Sequence, residues 1–334
     1  MIRRRHLAMA ARFVAHRFRD LHPFEVQAVL LNACNLRCAY CKCPDVRTPV
    51  MDTEQWRDVI RHLARLGTIR IKFQGGEPTL RHDFRDLCAE SRRCGMITAV
   101  TTNGLEIPRR PELLDSLNEI VFSLDSVTPE IHDRARGRGT HARVLEAIEV
   151  ARGRDLRIFV NMVVTRESLD EIEPMLDFCE ARGIGLHAQP VVFGRMYYDE
   201  EARPLALEAE EIRVMHRRLG EWKNRGRSLM FSASTYAHVA EWPDYDRLTM
   251  RSPGPSACMA GKFYVQIEAN GDIVPCAHYD AEFTPKNIVR DGLEAALRHV
   301  RHHDCGDCFA AYLNERKALF ALRPAALLEV ARRG

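Results

Sequence analysis

Cys34-Asn-Leu-Arg-Cys38-Ala-Tyr-Cys41 sets three thiols in one short loop, directly after the apolar run Val26-Gln-Ala-Val-Leu-Leu31. Thiols at this spacing can serve one metal centre together. Three thiolates are one short of the four that complete an iron–sulfur cubane, so the remaining iron keeps a coordination position for an outside ligand. The bland alternative is a zinc knuckle or a chance cluster of buried thiols. Zinc sites, however, usually close with four ligands from paired Cys-x2-Cys or Cys/His elements.

Outward from this loop, short β-branched runs alternate with stretches of helical period, the pattern of βα units and a parallel sheet. Strands are predicted at Val26–Leu31, Ile69–Gln74, Ile97–Thr102, Glu119–Leu124, Ile158–Val164 and Ile184–Val191, with helices near 53–66, 83–94, 111–117, 140–153 and 168–182. Asp52 with Thr53, and Ser168 with Glu171 three residues on, read as helix N-terminal caps. In barrels built of such units, ligands bind beyond the carboxyl ends of the strands, and the cysteine loop follows the first strand.

Gly75-Gly-Glu-Pro78 follows the second strand. Its glycines let the backbone come close to a ligand, and Glu77 with its neighbouring carbonyls can accept from an ammonium group. Thr101-Thr-Asn-Gly104 ends the third strand and Ser123-Leu-Asp125-Ser the fourth, followed by His132-Asp-Arg-Ala-Arg136-Gly137. Standing alone, Gly-Gly-Glu-Pro is an ordinary turn, and hydroxyls or Asp at strand ends cap the next helix.

The Cys-x3-Cys-x2-Cys run with aromatic Tyr40 before its last thiol, followed one βα unit later by Gly-Gly-Glu-Pro, resembles the signature of the radical S-adenosylmethionine (radical SAM) superfamily. The resemblance implies an α/β fold, a partial TIM-like (β/α)6 barrel over residues 24–230. It implies a 4Fe-4S cluster on Cys34, Cys38 and Cys41, whose open iron is chelated by the amino and carboxylate groups of S-adenosylmethionine. One electron then cleaves the sulfonium to a 5′-deoxyadenosyl radical, which takes a hydrogen atom from a substrate.

The same resemblance assigns Gly75, Gly76, Glu77 and Pro78 to the methionyl amino group. Thr102, Asn103, Ser123, Asp125 and an Arg fall to the ribose hydroxyls and the methionyl carboxylate. Arg136 is the leading Arg, although spacing alone does not choose among Arg134, Arg136 and Arg143. Asn161 and Gln189, which strand alternation points into or over the barrel, complete the expected cofactor site with Tyr40.

After a helix expected near 208–225 the βα rhythm stops, and residues 231–255 read as an irregular connector ending in Ser252-Pro-Gly-Pro255. Phe263–Glu268 and Asp272–Pro275 flank Ala269-Asn-Gly271, a hairpin signal, with Cys258 before the hairpin and Cys276 at its far end. A helix around 290–303 leads to Cys305-Gly-Asp-Cys308. Cys258, Cys276, Cys305 and Cys308 make a complete ligand set for a second four-iron cluster or for zinc.

The Cys-x12-Gly-x4-Cys arrangement of Cys258, Gly271 and Cys276 resembles the opening of the SPASM domain found on many radical SAM enzymes. With no thiol after Cys308, the module at 256–315 resembles the shortened twitch form, which implies one auxiliary 4Fe-4S cluster. Cys88, Cys94 and Cys179 are assigned to helix packing, and Cys43 is left open.

The chain has 334 residues, balanced charge (Lys plus Arg 49, Asp plus Glu 46) and 11 cysteines, which argues for one large or two domains and against a dedicated nucleic-acid binder. No apolar run is long enough to cross a bilayer, and Met1-Ile-Arg-Arg-Arg-His lacks a secretory core, so a cytoplasmic location is expected. Residues 1–23 read as a basic amphipathic helix and 316–334 as a helical tail. Both are expected to pack on the barrel, the alternative being an anionic membrane surface and a lipid substrate.

The expected substrate is a small polar metabolite of sugar, amino sugar or nucleoside type, oxidised through the auxiliary cluster. Epimerisation, decarboxylation and carbon–carbon bond formation start from the same radical. Tyr197, Tyr198, Tyr236, Arg195 and His238 are assigned by position to the substrate cavity. A flavodoxin- or ferredoxin-type reductant and a monomer or homodimer are expected. The rivals are a peptide maturase, disfavoured because the segment before the barrel looks short for a leader-binding domain, a lipid-modifying enzyme, and a non-catalytic iron–sulfur or zinc scaffold.

Overall fold

The computed structural model describes residues 23–193, 200–251, 258–279, 283–303 and 305–323. The expected amino-terminal helix (apart from Pro23), Arg195, Tyr197, Tyr198, Ser252–Pro255 and the end of the tail lie outside them.

Six parallel strands pair in chain order: β1 (Glu25–Val29), β2 (Arg70–Gln74), β3 (Ile97–Thr102), β4 (Glu119–Ser123), β5 (Arg157–Val164) and β6 (Gly185–Pro190). Between them run α1 (Thr53–Leu66), α2 (Phe84–Arg93), α3 (Pro129–Arg136), α4 (Thr140–Arg152) and α5 (Ile172–Glu180). Each strand lies within two residues of its predicted bounds. α1 shows why these segments form as they do. Asp52 and Gln55 cap each other at 2.9 Å in both directions, Trp56, Val59, Ile60 and Leu63 bury one face, and Gly67 ends the helix in the left-handed region.

Strand alternation divides the barrel in two. Val26, Ala28, Ile71, Phe73, Val100, Ile120, Phe122, Val160 and Met162 are buried in the core shared with the helices. The alternate positions Gln27, Lys72, Gln74, Thr101, Ser123, Asn161, His187 and Gln189 line an interior cavity of ≈ 300 Å³. Each apolar side chain on the outer set contributes roughly 1.5–3 kcal/mol by burial, enough to tolerate a polar lumen.

Two local expectations are corrected. The helix predicted near 111–117 is only a 3-10 turn, Pro111–Leu114, because the chain must return by Asn118, whose N–H meets the Thr98 carbonyl at 2.8 Å. The cap before α5 is Thr165 with Ser168, and a 3-10 segment, Arg166–Glu171, separates it from the helix; Glu171 turns away to accept from Ser126 at 2.5 Å. The segment His132–Arg136, which follows the fourth strand, belongs to α3.

The last third contains α6 (Ala209–Asn224), α7 (Ala233–Ala240), β7 (Thr249–Arg251), β8 (Tyr264–Ile267), β9 (Asp272–Val274), β10 (Lys286–Asn287), α8 (Ile288–Asp291), α9 (Leu293–Val300), β11 (Cys305–Cys308) and α10 (Ala311–Phe320). α7 occupies part of the expected connector because Thr235, Tyr236 and Val239 give it a buried face; the Tyr236 ring lies 6.4 Å from that of His216 on α6. The predicted β8–β9 hairpin forms, and β8 pairs in parallel with β1, Glu25 opposite Tyr264 through Ala28 opposite Ile267. One nine-stranded sheet therefore runs from β10 to β6. Among the described residues no helix is long and apolar enough to cross a membrane.

An ion-pair network closes the amino-terminal end of the barrel. Glu25 accepts from both Arg70 and Arg316, and Glu119 accepts from Arg70 (2.7 and 3.0 Å) and Arg157 (3.3 Å). Burial pushes the Glu25 carboxyl up, but the Arg316 and Arg70 guanidiniums outweigh it and hold the group at about 2. Arg70→Met would leave Glu119 short of its main partner in a buried site. The expected loss is roughly 3–5 kcal/mol, read from the urea midpoint.

Candidate functional site

The cysteine loop and the Gly-Gly-Glu-Pro loop are held together by backbone. Gly76 N–H meets the Leu31 carbonyl at 2.8 Å and Glu77 N–H the Ala33 carbonyl at 2.9 Å. A Cβ on Gly75 would stand 2.2 Å from the Leu31 oxygen, and one on Gly76 2.2 Å from that of Ala33 and 2.3 Å from that of Asn32. Gly75 also sits at φ +157°, at the margin of what other residues adopt.

Cys34, Cys38 and Cys41 are half-buried and line the interior cavity together with Gly75, Gly76, Glu77, Thr102, Asn103, Ser123, Arg136, Asn161, Gln189 and Tyr40. Burial pushes the Cys38 thiol up to about 12, and Cys34 and Cys41 are raised for the same reason. Arg136 Nη1 and Asn103 Nδ2 each lie 4.0 Å from a sulfur, of Cys38 and Cys34 respectively. Cys43 is buried and donates to the Asn32 carbonyl at 3.7 Å.

Two carboxylates brace this ring. Glu77 is 1 % exposed and accepts from Thr79 N–H (3.1 Å) and hydroxyl (2.6 Å), Thr102 hydroxyl (2.8 Å) and Asn103 N–H (2.7 Å). Burial raises its pKa, against the pull of those donors. Asp125 accepts from Tyr40 (2.5 Å), from Arg136 through Nε (2.7 Å) and Nη2 (2.9 Å), and from Val163 N–H (3.0 Å). Its own N–H donates to His132 Nδ1 at 3.2 Å, so that ring is neutral; burial lowers it to about 4.

Asp125 and Pro78 are therefore behind the wall rather than on it, whereas Arg136 reaches the cavity with its guanidinium over the Tyr40 ring at 5.6 Å. Arg134 is exposed and paired with Glu167 at 3.0 Å, and Arg143 donates to the Leu105 carbonyl at 3.0 Å. Of the three arginines left open by spacing, only Arg136 lines the cavity among the described residues. Tyr236 is core, and His238 faces Asp307 at 3.5 Å, so neither lines it. Sequence reading missed the deeper lining, Lys72, Thr101, His187, His278, Tyr312 and Arg316. Alternation from Gln74 could have found Lys72; the residues from α10 carried no such signal.

Cys258, Cys276, Cys305 and Cys308 line a second, smaller cavity with Thr249, Pro275, Tyr279 and His303. β11 brings its Cys-x2-Cys there by pairing antiparallel with β7. Among the described residues no three His, Cys, Asp or Glu side chains close on one ion-sized point. The thiols of each set line one cavity, and thiolate donors are the ligands an iron–sulfur cluster takes.

The family model for the Radical SAM superfamily matches residues 29–179. The PqqA peptide cyclase of Rhizobium meliloti (strain 1021) is 25% identical over 310 residues, covering 89% of this chain and 78% of the relative. Streptococcus suis SuiB bound to precursor peptide SuiA superposes with a TM-score of 0.63 at 18% identity, covering 94% and 77% of the two chains. Native anSMEcpe with bound AdoMet and Kp18Cys peptide gives 0.64 at 15% identity, over 92% and 99%. The two structures carry the fold, a partial barrel.

These relatives correct two expectations. The small polar metabolite, and a small molecule as partner, give way because the curated relatives are named for a peptide and the solved ones were seen with peptides. The shortness of the segment before the barrel carried no weight against that reading.

Gly76→Ala places a methyl group against two carbonyl oxygens that cannot yield without moving the cysteine loop. Iron bound after anaerobic reconstitution is expected to fall by the share held at Cys34, Cys38 and Cys41, measured by iron and sulfide analysis.

Proposed function

With residues 29–179 forming a domain of the Radical SAM superfamily, we propose that this radical SAM enzyme modifies a peptide, ring closure within that peptide being the outcome its relatives support. One observation carries the reading. A single cavity joins the three-thiol loop to a polar cradle and continues down the barrel lumen, so a bound cofactor and an inserted substrate segment would share one space.

The cofactors are a 4Fe-4S cluster and S-adenosylmethionine, which when bound supply reductive sulfonium cleavage and a hydrogen-abstracting radical. Cys34, Cys38 and Cys41 would hold the cluster. Arg136, already fixed by Asp125, would offer its remaining N–H groups to the methionyl carboxylate. Exposed carbonyls of the Gly75–Gly76 loop would receive the amino group, since Glu77 is engaged by four protein donors. Asn103, Ser123, Asn161 and Gln189 would meet the nucleoside, and Tyr40 would shield the cluster from water.

Residues 256–315 form the auxiliary module in this reading, with Cys258, Cys276, Cys305 and Cys308 as ligands. Joining two peptide atoms with loss of two hydrogens is a net oxidation, which gives a four-thiolate cluster a use as electron acceptor. Thiol ligation fits a reducing, cytoplasmic setting.

Anaerobically reconstituted protein with dithionite and S-adenosylmethionine is expected to yield 5′-deoxyadenosine. Alanine at Cys34, Cys38 and Cys41 abolishes it, while Cys258→Ala lowers the iron content and retains cleavage. A peptide encoded beside the gene is expected to lose two hydrogens by mass spectrometry. Cleavage with no change in any such peptide would sink the peptide reading.

A further inference from the structure

Among the described residues, the barrel lumen contains a cation that makes no ion pair. Lys72 lies on β2, two residues below Gln74 and two above Arg70, and lines the cavity. Among the described residues no hydrogen bond or ion pair is made by its ammonium. The carboxylates beneath it are taken: Glu25 by Arg70 and Arg316, Glu119 by Arg70 and Arg157. Arg70, Arg157, Arg316 and Lys72 thus stand against two carboxylates, and the cations outnumber the anions.

The rest of this level is uncharged. Gln27, Thr101, Asn161 and Gln189 line it, and His187 is neutral, since burial and then Lys72 lower it to about 3. The Thr101 hydroxyl is buried with no partner, a second polar group facing the same space. Burial, then Arg70 and Arg316, lower Lys72 to about 7. Glu25 and Glu119 attract the ammonium, but burial and the two guanidiniums outweigh them, so its charge opposes folding. A methionine would fill the space without that cost, so stability does not account for Lys72.

We propose that Lys72 is a carboxylate-binding, specificity-determining residue that anchors an acidic group of the substrate deep in the barrel, beneath the cofactor cradle. That the acid belongs to a peptide rests on the function proposed above. Its source is either an acidic side chain or a free carboxyl terminus, which present the same group. Neutralising Lys72 by a carboxylate would restore the full ammonium and hold the neighbouring substrate atoms in the cavity that opens on the three-thiol loop.

The test is calorimetry on reconstituted full-length protein loaded with S-adenosylmethionine, as wild type, Lys72→Met and Lys72→Arg. The probes are N-acetyl-Gly-Glu-Gly-amide (side-chain acid), N-acetyl-Gly-Gln-Gly (terminal acid), N-acetyl-Gly-Gln-Gly-amide (neither) and glutarate. At least one acid is expected to bind wild type about tenfold or more tightly than the neutral peptide, with the preference lost in Lys72→Met and partly kept in Lys72→Arg. Which peptide shows it identifies the source.

Glutarate binding that depends on Lys72, with no peptide bound, keeps the carboxylate site and removes the peptide reading. Peptide binding indifferent to Lys72→Met does the reverse. No Lys72-dependent preference for any acid overturns the inference.

Thermal melting of the apo-protein checks the fold. The folded-state pKa of Lys72 lies below its unfolded value, so wild-type stability rises with pH above about 7 and carries the full cost below it. Lys72→Met is therefore expected to melt at or above wild type near and below neutrality, the gap closing toward the ordinary lysine range. A markedly lower melt at every pH would mean a structural partner for the ammonium, and overturns the inference.

Discussion

The contact on which the site depends is backbone against backbone: the Gly75–Gly76 turn lies on the carbonyls of Leu31, Asn32 and Ala33 with room for hydrogen and nothing larger. This contact sets the height of the cysteine loop over the mouth of the barrel. From there the hold passes from strand end to strand end. Glu77 ties the second loop to Thr102 and Asn103 after β3, and Asp125 ties β4 to β5 through Val163, to the cysteine loop through Tyr40 and to α3 through Arg136. Both carboxylates are buried and fully engaged, the condition under which a polar network stiffens a structure instead of weakening it.

The barrel wall solves a second problem by alternation. Its outer face supplies the apolar burial that stabilises the fold, which frees the inner face to be polar. The lower end is sealed by Glu25, Arg70, Glu119 and Arg316, the last reaching in from α10. Because β8 pairs beside β1, the hairpin and helix after residue 258 form part of the cavity wall, through His278, Tyr312 and Arg316.

Much of this was legible beforehand. The six parallel strands followed from β-branched runs, and the three-thiol loop and Gly-Gly-Glu-Pro from spacing, since both signals are local. The capping of α1 by Asp52 was equally local, and the Asn270-Gly271 turn announced its hairpin. Signals failed where neighbours distant in sequence compete. Glu171 is recruited by Ser126 and Thr128 instead of capping, the return to β4 is too short for a helix, and α7 is drawn out of an apparent connector by the face of α6. The substrate class was misjudged for a different reason: chain length ahead of a barrel says nothing about what enters its mouth.

What the amino-acid order determined alone was the periodicity of the strands and the grouping of thiols along the chain, because both arise within a few covalent steps. Only the tertiary structure decided that Arg136 and not Arg134 or Arg143 reaches the cavity, that Glu77 and Asp125 are consumed as braces, and that Lys72 faces the lumen with no ion-pair partner among the described residues. Those outcomes depend on strand register and on which charges meet across the barrel, distances that no local spacing encodes.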